Sequence, residues 1–398
     1  MSDVKIYAMV IENEAKEQIE LLSQQKSFCD QKIRIMPDVH AGKGCVIGFT
    51  STIGDYIIPN VVGVDICCGM LTVELGKCDI DLQKLDDAIR RYVPSGRNVH
   101  EGRICKFEKL QSLHCYRELK DTKRLERSLG TLGGGNHFIE VGVDVDGKKY
   151  LVIHTGSRNL GKQVAEYYQN LAYELLCGKD ELLQKQEQLI ADYKAQGRRK
   201  EVQKEIKKLK AKYKAQDCDI PKDLAYLTGK YKEQYLHDMS ICQEYAVLNR
   251  YHIAKIIIEK LGLNSTSHSF ETIHNYIDLD SNIIRKGAIN ADRGKRLLIP
   301  LNMRDGCIIG IGKGNADWNN SAPHGAGRIM SRTMAKTKFS MEEYQDSMQG
   351  IFTTSVCKHT LDELPMAYKN MNDIIDVIGD TVEISNIIKP VYNFKASD

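Results

Sequence analysis

The chain has 398 residues, 42% of them hydrophobic, and a formal net charge of +3. That apolar content is enough for a large core and excludes a globally disordered chain, and the length admits one large domain or two to three smaller ones. The charge is too small a bias to argue for nucleic acid by itself, and no run approaches the ~18 apolar residues of a membrane span.

The first residues, MSDVKIYAMVIENEAKEQIE, carry acids where a secretory signal would carry an apolar stretch. The 12 cysteines are scattered, with no CxxC pair. Reduced thiols of this kind fit the cytosol, so the expectation is a cytoplasmic protein without a membrane partner.

From Met1 to about Leu160, short β-type runs are cut by glycine: KIRIMP, GCVIGFTSTIG, YIIPNVVGVDI, MLTVELG, HFIEVGVDVDG and KYLVIHTG. Their length and alternation predict strands, and Asp81–Tyr92 predicts a helix between them. The stretch GKQVAEYYQNLAYELLCG then has helical spacing. In Lys179–Gln216, Leu182, Leu189 and Tyr193 recur at near-heptad spacing, and Val202, Ile206, Leu209 and Tyr213 step by about four and three residues. The expectation is two antiparallel helices joined at Gly197, an insertion in one large domain that spans 1–398. From Gly178 to Gln216 there are 12 Lys/Arg against 6 Asp/Glu. Such a hairpin reads as a solvated face or as a basic arm that touches a phosphate backbone. Helix continues through MSICQEYAVLNRYHIAKIIIEKLG, and after Asn264 short β runs return in RLLIPLNMRDGCIIGIGKGN. Strands, helices and strands again argue for an α+β fold with a helical insertion.

Of the 11 histidines, His100, His114, His237, His252, His268 and His359 lie in charged or helical contexts where a surface or packed histidine is expected. The other five keep unusual company: His40 in MPDVHAGKG, His137 in GTLGGGNHFIEV, His154 in VIHTGSRNLG, His274 in IHNYI and His324 in APHGAGRIMSR. Glycine beside them lets backbone approach a ligand closely. Between Gly63 and Gly69 stand Asp65, Cys67 and Cys68, in GVDICCGM. Asp65 and Cys68, with His137, His154 and His274, give five candidate ligands of mixed O, S and N type. Such a set suits zinc or another first-row divalent ion, and mixed O/N ligands admit manganese. Five ligands shared between two adjacent ions would suit chemistry on phosphorus. If the segment is extended, Cys67 and Cys68 point to opposite faces and only one meets the metal. His324 could be a nucleophile, a proton shuttle or a ligand. The glycine-rich loops GTLGGGNH, HTGSRNLG and GIGKGN carry Arg158 and Lys313, but none is a Walker A sequence.

Taken together, MPDVHAGKG, GVDICCGM, GTLGGGNHFIEV, HTGSRNLG, HNY, RKGAI and HGAGRIMSR resemble the RtcB family of RNA ligases, in order and spacing, from about Met36 to the C-terminus. The first 30 residues and the Lys179–Gln216 hairpin carry none of these motifs. The resemblance implies a GTP- and manganese-dependent ligase that joins an RNA 3′-phosphate, or a 2′,3′-cyclic phosphate after its hydrolysis, to a 5′-hydroxyl, in tRNA splicing or RNA repair. It implies two Mn²⁺ held by Asp65, Cys68, His137, His154 and His274. It makes His324 the nucleophile that becomes a covalent histidine–GMP. Guanosine contacts carry over to Asn136, His137, Phe138, Ile139 and Glu140, to His274 and Asn275, to Pro300, Leu301, Asn302 and Met303, to Cys307, to His324, Gly325, Ala326 and Gly327, and to Lys395. Arg158, Lys286 and Arg328 are candidates for phosphate or the RNA ends. The need for an activating protein stays open.

The chain departs from the family pattern at four places. Pro300-Leu301-Asn302-Met303 replaces Pro-Gly-Ser-Met, Cys307 stands where a serine is usual, Cys67 replaces a glycine, and three residues follow Lys395. Two further readings compete: a metal-dependent phosphodiesterase acting on RNA ends, and an RNA-binding homologue that does no chemistry.

Overall fold

The computed structural model describes residues 2–212, 218–263 and 268–396. In chain order, β1 (Asp3–Ile6), α1 (Asn13–Ser23), β2 (Lys32–His40) and β3 (Ile47–Thr52) precede β4 (Gly69–Gly76), α2 (Leu82–Tyr92) and α3 (Thr122–Arg127). Then come β5 (Phe138–Val143), β6 (Lys149–Thr155), α4 (Arg158–Glu174), α5 (Asp180–Ala195), α6 (Val202–Lys212) and α7 (Gly229–Leu261). Short strands follow: β7 (Ser269–Ile273), β8 (Tyr276–Asp278), β9 (Ile283–Lys286), β10 (Ala288–Asn290), β11 (Arg296–Asn302), β12 (Gly306–Gly312) and β13 (Ser321–Pro323). The chain ends with α8 (Arg332–Lys338), α9 (Met341–Ser347), α10 (Met371–Ile378) and the long β14 (Val382–Lys395). This is a mixed helix-and-sheet fold, as the sequence led us to expect.

The strands build a five-stranded sheet in the order β1-β2-β3-β9-β8, a small β10-β13 pair, and a seven-stranded sheet in the order β11-β12-β14-β5-β6-β4-β7. The larger sheet curls on itself. Its edge strands meet where the Leu298 N–H donates to Thr272 Oγ1 at 3.0 Å. Met70, Phe138, Tyr150, Val152, Leu298, Ile309 and Ile388 pack together inside the curl. The outer face, with Leu71, Ile139, Val141 and Ile153, packs with Leu85 and Ile89 of α2 and Ile253 and Ile257 of α7. Alternate residues of β4, β5 and β6 therefore serve two different interiors. α4 and α7 also share the largest cluster, through Val164, Tyr168, Met239 and Tyr245 among others.

Two expectations need correction. YIIPNVVGVDI is not a strand: Pro59–Val61 is a single 3₁₀ turn, and only Ile57 makes a bridge, to Leu227. Pro59 has no N–H to give a ladder, and the next donor, Asn60 N–H, goes to Gln169 Oε1 at 2.9 Å. Nor is GVDICC extended, because Cys68 N–H closes a turn on Asp65 C=O at 3.2 Å. Cys67 sits at φ +58°, the left-handed region that favours the family's glycine. Its side chain is buried in the apolar core while Cys68 faces the site. The β14 strand was not anticipated. Pro390 breaks its pattern, yet in the structure that residue lies at a register shift between Pro390 and Tyr392, where a missing donor is tolerated.

α5 and α6 run as described helices joined through Gly197, which has φ +73°. Leu182 and Val202 are buried, and Leu189, Tyr193, Ile206 and Leu209 are half-buried. Tyr213, counted in the same seam, lies outside the described residues. Lys230 Nζ on α7 reaches Glu187 Oε1 on α5 at 2.9 Å.

Candidate active site

Strand register gathers the candidate ligands. Gly69, at the start of β4, pairs with Thr155 at the end of β6 and with Ile273 at the end of β7. Phe138, at the start of β5, pairs with His154. Cys68, His137, His154 and His274 therefore arrive at one end of the curled sheet. Asp65 joins them through the turn before β4.

The side chains converge closely. Cys68 Sγ lies 3.4 Å from His137 Nε2 and 3.3 Å from His154 Nε2. His154 Nε2 is 3.0 Å from His274 Nε2, and His137 Nε2 is 3.0 Å from Asp65 Oδ2. Cys68, His154 and His274 form one group with mutually adjacent donor atoms, and Asp65, Cys68 and His137 form another. Cys68 is common to both.

This donor set is what a divalent cation requires. His137 Nδ1 faces the Leu132 carbonyl at 2.9 Å, and His154 Nδ1 faces that of Asn136 at 3.1 Å. A carbonyl only accepts, so His154 carries its hydrogen on Nδ1 and presents a bare Nε2, whereas His137 Nδ1 faces both a carbonyl and the Arg158 guanidinium. Burial drives the His154 and His274 imidazoles well below their usual range, which keeps them neutral. Burial opposes ionisation of Asp65, but His137 and the nearby Arg158 guanidinium still hold its carboxyl low. Burial, then Asp65, pushes the Cys68 thiol well up. One thiol hydrogen must therefore serve two imidazoles beside the Asp65 carboxylate. Asp65 Oδ1 and His274 Nδ1 have no hydrogen-bond partner among the described residues. A cation among these acceptors would ionise the thiol.

His324 borders this cluster, its ring centroid 4.8 Å from that of His274. It follows β13 directly. Asp38 on β2 holds it twice, accepting from the backbone N–H at 3.1 Å and from Nδ1 at 2.7 Å through Oδ2. Gly327 has φ +76°, and a Cβ there would lie 2.4 Å from the Asp38 carbonyl oxygen, so the loop can press against β2 only as glycine.

A cleft opens beside His324. Asn136, Phe138, Glu140, Pro300–Met303, His324–Gly327, Arg328 and Lys395 line it, as do His40, Arg332, Tyr368 and Asn393. Glu140 is buried and accepts from Asn393 Nδ2 at 3.0 Å, with the Cys307 thiol 3.4 Å from its other oxygen. Burial raises its pKa to about 7. Lys395 Nζ is ion-paired with buried Glu363, which also contacts Arg332 at 2.5 Å. Burial opposes the charge on Glu363, but Lys395 and Arg332 hold its pKa at about 2.

Several candidates take other positions. The Ile139 side chain points to the outer face of β5 and is fully buried there, since alternation carries Phe138 and Glu140 the other way. Asn275, at φ +65°, stands behind the ligands and takes the Gly287 N–H on Oδ1 at 2.8 Å. Asn302 spends its side chain on the turn, accepting from Arg304 N–H and Asp305 N–H. Lys286 is buried, its ammonium on the carbonyls of Lys43 and Asn60 at 3.0 Å each. Arg158 lies 3.1 Å from His137 Nδ1 and packs over Gly133, behind the ligands. Arg328 is at the cleft but donates to Tyr368 Oη and the Asp362 carbonyl. Asp38, Glu363 and Arg332 were not singled out from sequence. Asp38 stood in a quoted motif two residues before His40, and that was the available signal.

Fold and site together define an α+β protein with a buried carboxylate–thiol–imidazole cluster at the mouth of a ligand-sized cleft. A sequence model of the RtcB family, described as tRNA-splicing ligase RtcB, matches residues 19–117 and 113–396. The RNA-splicing ligase RtcB of Escherichia coli strain K12 is 30% identical over 434 residues, covering 98% of this chain and 97% of that protein. The tRNA-splicing ligases RtcB of Nanoarchaeum equitans and Pyrobaculum aerophilum are 26% and 25% identical, over 97% and 86% of this chain and 93% and 82% of theirs. The chain belongs to the RtcB family.

Proposed function

We propose that this protein is an RNA ligase that uses GTP to join RNA 3′-phosphate or 2′,3′-cyclic phosphate ends to 5′-hydroxyl ends. The observation that carries the reading is His324, fixed by Asp38 where the metal-ligand cluster meets the cleft. Asp38 keeps the hydrogen on Nδ1, which leaves the Nε2 lone pair as nucleophile. His324 Nε2 bonds to the α-phosphorus of GTP and pyrophosphate leaves. An oxygen of the RNA 3′-phosphate then takes the GMP, the P–N bond breaks, and His324 regains its lone pair. The 5′-hydroxyl attacks the activated 3′-phosphorus and gives up its proton to solvent, and GMP departs as a leaving group far better than a bare phosphate oxygen.

Asp65, Cys68, His137, His154 and His274 would hold two Mn²⁺, which neutralise phosphate oxygens and favour in-line attack. Arg250 supports them from beneath, donating to the Cys67 and Thr155 carbonyls at 2.9 and 2.8 Å and pairing with Glu271. Ionised Glu140 accepts from guanine N1–H and N2–H, which selects GTP over ATP. Lys395, positioned by Glu363, and Asn136 with Phe138 complete the guanosine cleft.

The test is incubation with α-³²P-GTP and Mn²⁺ followed by denaturing electrophoresis. Wild type should carry an acid-labile label and His324→Ala none. A labelled His324→Ala protein removes His324 as the nucleophile.

A further inference from the structure

Asn393 is paired directly with Glu140 across the β14–β5 ladder. It is 1% exposed, lies two residues before Lys395 on the same strand face, and borders the cleft. Its amide orientation is fixed by chemistry. The carboxylate of Glu140 only accepts, so the Nδ2 group 3.0 Å away must face it. Oδ1 is then forced to the other side, where it is buried with no hydrogen-bond partner among the described residues. A buried, unmatched acceptor costs stability unless a ligand or water supplies a donor. Asn393 has no part in the chemistry assigned to His324 or the metal ligands.

We infer that Asn393 is a specificity residue for the nucleobase, its Oδ1 accepting the second N2–H of guanine while Glu140 takes N1–H and the first. The inference rests on the GTP reading and extends it. A carboxylate has about four lone-pair directions. Asn393 and Cys307 occupy one on each oxygen of Glu140, leaving one on each for a bidentate match to N1–H and N2–H. The exocyclic amine then has one hydrogen unspent, and Asn393 Oδ1 is the adjacent empty acceptor. Guanine satisfies all three acceptor positions. Hypoxanthine, which lacks the amine, satisfies one, and adenine presents no N1–H at all.

The experiment measures His324 guanylylation with GTP, ITP and N2-methyl-GTP in the full-length Mn²⁺-loaded protein, wild type against Asn393→Ala. The GTP-to-ITP efficiency ratio should fall about tenfold in the variant, the size expected for one hydrogen bond to a buried acceptor. The variant should also use N2-methyl-GTP better relative to GTP, because the methyl gains room where the amide stood. A merely structural role would lower all three nucleotides together. An unchanged GTP-to-ITP ratio overturns the inference. Should Asn393→Ala not fold, wild type alone decides: N2-methyl-GTP used as well as GTP overturns the inference, and a loss of about tenfold or more supports it. Absence of label with any nucleotide in folded, metal-loaded wild type would instead sink the GTP reading itself.

Discussion

At the scale of single residues, the site works by fixing hydrogens. Asp38 does this for His324, and the Asn136 carbonyl does it for His154. Asp38→Asn keeps the shape but can present its amide hydrogens to Nδ1, which favours the wrong tautomer. Guanylylation should drop by about 10²–10⁴-fold while metal still binds, measured by single-turnover labelling. Glu140 gives a pH dependence. Its pKa is raised to about 7 by burial, and the proposed bidentate match to guanine needs the ionised form. GTP binding should therefore strengthen as pH rises through about 7 and level off above it. Glu140→Gln should lose that step, which isothermal titration across pH would detect. Cys67 is a residue whose environment the sequence hid. Its φ of +58° is costly for a side chain with Cβ, yet the thiol fills the core beneath the ligands.

At the scale of elements, the curled sheet and the hairpin make separate claims. The sheet delivers four candidate ligands by register. A one-residue slip of β5 against β6 would turn Phe138 and Glu140 away from the cleft, so this pairing is specified by two buried faces rather than one. The hairpin has a thin seam and an excess of six positive charges between Gly178 and Gln216. Its chain enters from the far end of α4, a helix of 17 residues whose first residue, Arg158, lies beside His137. The hairpin root is thus about 25 Å from the ligands at 1.5 Å per residue. Replacing Lys179–Gln216 with a short linker should leave GTP labelling intact and weaken RNA joining several-fold. Joining by wild type should show the steeper salt dependence. Equal joining by both proteins at physiological salt would assign the arm to structure or to another partner.

At the scale of the whole molecule, the candidate metal cluster ties distant segments together, so a bound ion would add to the stability of the fold. Metal bound to the native state alone adds about 2.7 kcal/mol at 100 times its Kd. Mn²⁺ should raise the melting temperature of wild type measurably, and His154→Ala should lose most of the rise. An equal shift in both would show that the ions bind elsewhere. No helix among the described residues is long and apolar enough to cross a membrane.

The sequence by itself determined the family, the candidate site residues and most of the elements. Glycine-flanked histidines, the Asp65–Cys68 spacing and the alternating runs are local signals, and local signals survive in a linear chain. The mixed strand–helix–strand order was legible for the same reason. What only the tertiary structure decided is which side each residue faces and what it is paired with. Asp38 and His324 are 286 residues apart, and Asn393 and Glu140 are 253 apart. Lys286 is a phosphate candidate from sequence, and only the fold shows that two of its three ammonium hydrogens go to backbone carbonyls. Ile139 shares a motif with Phe138 and Glu140, but pleating sends it into the opposite core. β14 escaped notice because Pro390 spoils its pattern, and only pairing with both β12 and β5 makes it a strand. Spacing along the chain records which groups are available, and register and burial decide which of them meet.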